Sequence, residues 1–197
     1  LSINQLHETE ARWFAVYTRY KREKMVLKRL SEAGREIYLP LQKVTRYYTR
    51  KIVHTELPLI SCYVFARVVK KEFVPILEDP DVLFFVKQRA DLLSIPEREI
   101  NILKAVTGEG IPVEVHKMDE LPKAGDEVEI IQGRLFGMKG FLLETRNRKM
   151  VVIELETLGM ALQLQLPLEH VRKTGKQKVQ EGESSGKNKN RFDVMWK

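Results

Sequence analysis

Along the first hundred residues the apolar positions change period several times. Residues 13–18 (Trp-Phe-Ala-Val-Tyr-Thr) are aromatic and β-branched and predict a buried strand. From residue 22 to 34 the spacing of Val26, Leu27, Leu30 and Ala33 is that of one helix face. Gly34 suits the left-handed residue that closes a helix. Two strands are expected over residues 37–48 and 51–57, joined by a basic turn at Thr49 and Arg50. Residues 62–69 predict another strand, with Tyr63, Phe65 and Arg67 on one face. A short helix over 71–78 gathers Phe73, Ile76 and Leu77, and Pro75 limits its length. Asp79-Pro80-Asp81 reads as a turn and residues 82–87 as a strand. Ser94 and Glu97 have capping-box spacing ahead of a helix that carries Ile100, Leu103 and Val106. The order is β-α-β-β-β-α-β-α, a small α+β sandwich spanning residues 11–110 behind a flexible lead-in of residues 1–10.

Beyond Gly110 the pattern changes. Residues 111–121 lack a period, hold Pro112 near their start, are followed by Pro122, and read as a linker. From 122 to 173 alternation dominates: Val128 with Ile130, Phe141 with Leu143, and Leu162, Leu164 and Leu166. Residues 151–155 are apolar on both faces. Short strands punctuated by glycines predict a small all-β barrel. Residues 174–197 are rich in Gly, Ser, Lys, Asn and Gln and read as a disordered basic tail.

Charge sharpens this division. The chain of 197 residues has a net charge of +7. Residues 12–51 hold 12 basic and 3 acidic side chains, whereas residues 72–129 hold 6 basic and 14 acidic ones. A basic front end attracts phosphate backbones. No apolar run approaches the ~20 residues of a membrane helix. One cysteine, Cys62, leaves no internal disulfide framework and suits a reducing, cytoplasmic setting. His7, His54, His116 and His170 fall in separate segments, without metal-ligand spacing. With no nucleophile signature either, the expectation is a protein that is not an enzyme and has no catalytic residues, metal or cofactor.

The most specific segment is Gly125-Asp-Glu-Val-Glu-Ile-Ile-Gln-Gly-Arg-Leu-Phe-Gly-Met-Lys-Gly140. It reads as a strand, a glycine turn and a second strand. No Gly-Lys-Ser/Thr ending and no helix follow, so it is not a phosphate-binding loop. It resembles a KOW motif, carried by Gly125, Val128, Ile130, Gly133, Gly137 and Gly140, at the start of an SH3-like barrel. The front end, with Trp13–Thr18, a basic helix and Leu59-Ile60-Ser61-Cys62-Tyr63-Val64-Phe65, resembles the N-terminal domain of NusG proteins. That family usually has Phe-Pro-Gly-Tyr-Val where this chain has Ile60–Val64, so the turn before the strand must be built differently. The two resemblances occur in family order over about 160 residues. The basic stretch 38–55 and the altered Pro-Gly segment look like the specialised paralogues, the RfaH/UpxY-like antiterminators of surface-polysaccharide operons.

The resemblance implies a monomeric transcription elongation or antitermination factor. It would grip the clamp helices of RNA polymerase with Tyr17, Ile60, Tyr63, Phe65, Phe85, Ile100 and Leu103. It would place Arg19, Tyr20, Lys21, Arg22, Lys24 and Tyr47 near non-template DNA in the transcription bubble. The barrel would tether a second partner, the termination factor Rho or a ribosomal protein. An RNA-binding or ribosome-associated KOW protein is the alternative, and the acidic stretch 72–129 speaks against it.

Overall fold

The computed structural model describes residues 3–109, 111–121, 125–145 and 148–177. The chain divides into two compact units, residues 1–107 and 108–197. The front unit is mixed α+β and the second is an all-β sheet.

The front unit runs β1 (Arg12–Thr18), α1 (Glu23–Glu32), β2 (Glu36–Tyr38), β3 (Leu41–Tyr48), β4 (Lys51–Pro58), β5 (Tyr63–Val68), α2 (Lys70–Leu77), β6 (Val82–Phe85) and α3 (Glu97–Glu109). Four strands form an antiparallel sheet in the order β2-β5-β1-β6. The strand expected over 37–48 is broken at Leu39 and Pro40, because proline has no N–H to give a ladder. Its first part joins the sheet as β2, and the rest pairs only with β4 as a separate two-stranded hairpin. Alternation along β1 sends Phe14 and Val16 to one face, where they meet Val26 and Leu30 of α1 and Ile76 of α2.

The opposite face carries Trp13 and Tyr38, and α3 lies across it. The Trp13 indole donates to Glu97 Oε2 at 2.7 Å, the Tyr38 hydroxyl lies 3.4 Å from Thr107 Oγ1, and the Lys104 ammonium sits over both rings. Ile100, Leu103 and Val106 are buried beneath the helix.

Helix α1 ends as its sequence predicts. Gly34 takes φ +76°, with the Gly34 amide on the Ser31 carbonyl and the Arg35 amide on the Leu30 carbonyl, a Schellman pair. Helix α3 starts differently. Ser94 does not cap it, because its amide and hydroxyl both donate to Gln5 Oε1. The lead-in is thus anchored. Asp91 accepts from the Ile3 amide, and the Leu92 amide donates to the Ile3 carbonyl.

The second unit runs β7 (Val113–Lys117), β8 (Asp126–Ile130), β9 (Lys139–Thr145), β10 (Arg148–Leu155), β11 (Met160–Leu164), a 3₁₀ turn (Leu168–His170) and β12 (Val171–Gln177). The sheet order is β12-β8-β9-β10-β11-β7, all antiparallel. Among the described residues no ladder joins β12 to β7. The stretch expected as a linker, residues 111–121, gives five of its eleven residues to strand β7, paired with β11 from Val113↔Leu164 to Lys117↔Met160. Its Pro112 masked a short alternating segment whose partner lies far along the chain. On β9 the inward residue is Leu142, with Phe141 and Leu143 half-buried, the reverse of the expected face. Leu166 lies past the end of β11. Residues 174–177 belong to β12, and the expected tail beyond them, residues 178–197, lies outside the described residues.

Candidate functional site

The turn ahead of β5 shows how the chain manages without Pro-Gly. Cys62 itself takes φ +65°, a left-handed conformation that favours glycine. Its amide donates to Glu23 Oε1 at 2.7 Å, and its carbonyl accepts from the Thr18 amide at 2.8 Å. Glu23 is buried in the first turn of α1, so the helix start clamps the turn. This brings three rings together at the ends of β1, β5 and β6. Tyr17 pairs across the ladders with Tyr63 and with Phe84. Its ring stacks on Phe84 (5.0 Å, 12° between planes) and meets Tyr63 edge-on (5.3 Å, 86°). Burial pushes the Tyr63 phenol far above its ordinary value. Tyr17 is raised too, first by burial and then by the neighbouring Cys62 thiol.

The seven expected polymerase contacts separate sharply. Ile60, Tyr63, Phe65, Phe85, Ile100 and Leu103 are all core residues and offer no side-chain surface to a partner. The reason is the two-sided cover of the sheet. On the face that α3 crosses, Phe65 lies against Tyr38 and Tyr63 against Tyr17, while Phe85 joins the cluster under α1 and α2. Tyr17 alone is half-exposed. Exposed beside it are Phe84 (38%) and Leu83 of the edge strand. The Phe84-Phe85 doublet must divide between faces, and nothing in the local sequence says which ring faces out.

The basic residues near α1 are largely engaged within the molecule. Arg19 Nε donates to the Pro80 carbonyl at 3.2 Å, and Arg22 lies 3.9 Å from Asp81. Lys24 Nζ donates to the Glu56 carbonyl at 2.7 Å, which ties the base of the β3–β4 hairpin to α1. Lys21 sits 5.0 Å over the exposed ring of Tyr20. Tyr47 lies apart from these, near the hairpin tip, and is 78% exposed.

In the second unit the motif glycines have steric reasons. A β-carbon on Gly140 would sit 2.5 Å from the Val152 carbonyl oxygen, and one on Gly125 would overlap the Leu142 carbonyl. Gly133 and Gly137 take positive φ on either side of a turn. Val128 and Ile130 point into the core with Leu135. Between the two glycines Phe136 stands 70% exposed, a feature the sequence reading missed because Leu135 and Phe136 are equally apolar.

Among the described residues no three His, Cys, Asp or Glu side chains converge as metal ligands, and no helix is long and apolar enough to cross a membrane. Residues 11–104 match a family model described as transcription termination factor nusG. No curated protein matches the chain. Among solved structures, Thermotoga maritima NusG, solved in a study of its domain interaction, is 21% identical. The likeness covers 85% of this chain and 99% of that one with a TM-score of 0.53, and is one of fold. The MjSpt4:Spt5 complex in conformation B is 22% identical over 85% of this chain and 99% of that one, at a TM-score of 0.29. Residues 11–104, most of the front unit, are thus similar to the NusG family.

Proposed function

We propose that the protein is a transcription elongation regulator, an antiterminator of the specialised kind, which docks on RNA polymerase through its front unit. The observation that carries this reading is the family match over residues 11–104 together with a half-exposed aromatic stack, Tyr17 on Phe84, at the sheet's edge. A few large apolar side chains supply most of the energy of such contacts, and a rigid ring pair loses little entropy on docking. The buried ring of Tyr63, edge-on to Tyr17, holds the stack in place. The clamp helices of the polymerase are the proposed partner of this edge. The start of α1 and the adjoining hairpin form the surface turned to non-template DNA. The second unit holds a further factor, Rho or a ribosomal protein, with Phe136 as the exposed anchor on its turn. The basic hairpin and the Pro-Gly-free turn favour a paralogue serving a surface-polysaccharide operon.

The test is capture of purified core RNA polymerase by the full-length chain. Tyr17→Ala and Phe84→Ala should each weaken capture about tenfold or more. Undiminished capture by the double variant would place the docking face elsewhere. No capture by the wild-type chain would sink the polymerase reading. Tight, salt-sensitive binding to RNA alone would then favour a ribosome-associated role.

A further inference from the structure

The β3–β4 hairpin is a regular ladder. Its register runs without a shift from Leu41↔Pro58 to Tyr48↔Lys51. Residues opposite each other share a face, so the register sorts the tip into two surfaces. One face carries Arg46, Tyr48, Lys51 and Val53, continuing to Val44 and Thr55. The other carries Tyr47 and Ile52, then Thr45 with His54, then Lys43 opposite Glu56.

The two surfaces differ in chemistry. The Tyr48 face holds two cations and no acid, and no acidic residue occurs anywhere between Glu36 and Glu56. On the Tyr47 face the single cation, Lys43, stands opposite the single acid, Glu56, so that face is neutral and its tip is apolar. Tyr48 is 54% exposed, Tyr47 78% and Ile52 58%; the Tyr48 face is the more covered towards the base, at Val44, Val53 and Thr55, but at the tip both faces are open to a partner. Charge distinguishes them there. Binding an unpaired strand needs a cation for the phosphate beside a ring for the base. Arg46, Tyr48 and Lys51 supply both on one surface. Tyr47 and Ile52 supply only apolar area.

We infer that the hairpin grips single-stranded DNA with its Arg46–Tyr48–Lys51 face, and that Tyr47, with Ile52, faces away from the strand. The inference rests on the reading of this region as the surface turned to non-template DNA, and it moves the stacking residue from Tyr47 to Tyr48. One base stacks on the Tyr48 ring while the flanking phosphates meet Arg46 and Lys51. Lys24, bonded to the Glu56 carbonyl, joins the hairpin base to the basic start of α1 and so extends the cationic track.

The experiment measures anisotropy of a fluorescein-labelled single-stranded DNA dodecamer of mixed sequence against the full chain. Tyr48→Ala should weaken binding about tenfold. Arg46→Ala with Lys51→Ala should weaken it further and flatten the dependence of log K on log salt by about 0.7 per cation removed. Tyr47→Ala and Ile52→Ala should stay within about twofold of wild type, since neither removes a phosphate or base contact. A larger loss from Tyr47→Ala than from Tyr48→Ala overturns the face assignment and leaves the nucleic-acid surface standing. A wild-type chain without saturable DNA binding overturns both. Tighter binding of the RNA dodecamer of the same sequence, or displacement by polyglutamate as readily as by unlabelled DNA, overturns DNA as the occupant.

Discussion

Cys62 occupies a conformation that costs an L-residue about 1–2 kcal/mol, and the buried Glu23 carboxylate on its amide holds it there. Replacement by glycine removes that cost. Cys62→Gly should therefore keep or raise stability by up to about 1 kcal/mol, against the small loss of the half-buried thiol. Cys62→Val, β-branched and still more hindered at positive φ, should lower it by about 2 kcal/mol. Urea denaturation of both variants checks this, and equal losses would show that the turn does not depend on its backbone conformation. The position was legible as an anomaly in the sequence, since Ile60–Val64 lacks the family's Pro and Gly. Its solution was not. The compensating carboxylate comes from Glu23, 39 residues earlier, and only folding places it beside the turn.

At the scale of elements, α1 is fastened to the turn before β6 by a charge cluster. Arg29 donates to both oxygens of Asp79 (2.8 and 2.7 Å) and to Asp81 (2.7 Å). Asp79 also accepts the Asp81 amide, which shapes the turn. The Arg29 bonds, against an opposing effect of burial, hold the Asp79 carboxyl below its ordinary value of 3.8. A carboxylate lowered on folding stabilises fully above its unfolded value and loses that contribution as pH falls through the folded one. Asp79→Asn should then cost about 2 kcal/mol at pH 7. The gap to wild type should close as the solution is taken well below pH 3.8. Urea midpoints at several pH values test it, and a pH-independent gap would mean that the loss is one of packing. In the second unit, Gly140→Ala places a methyl against the Val152 carbonyl on the neighbouring strand and should cost about 2 kcal/mol or more. Unchanged stability would mean the two strands part at no cost.

For the molecule as a whole, the two units have separate cores. Hydrogen exchange of the Gly140→Ala variant should show lost protection confined to residues of the second unit, with strands β1 and β5 protected as in wild type. Spread of the loss to those strands would mean that the units unfold as one. On the proposed reading, in which polymerase docks on the front unit and a further factor on the second, Phe136→Ala should spare capture of polymerase alone.

Periodicity alone determined the elements: β1, α1, β5 and α3 fall within a few residues of where alternation and the 3.6-residue repeat place them. It also determined the switch from a mixed unit to an all-β one, and the glycine pattern of β8 and β9. These are local properties, written in consecutive side chains. Tertiary structure decided what a local pattern leaves open. Aromatic residues on a strand look alike whether a helix covers them or not, so Tyr63, Phe65 and Phe85 read as contacts and proved to be core. Residues 113–117 read as a linker until β11 offered a ladder from half the second unit away. The basic hairpin was legible as charge, but its sorting into a cationic face and a neutral one depends on register, which exists only once two strands pair.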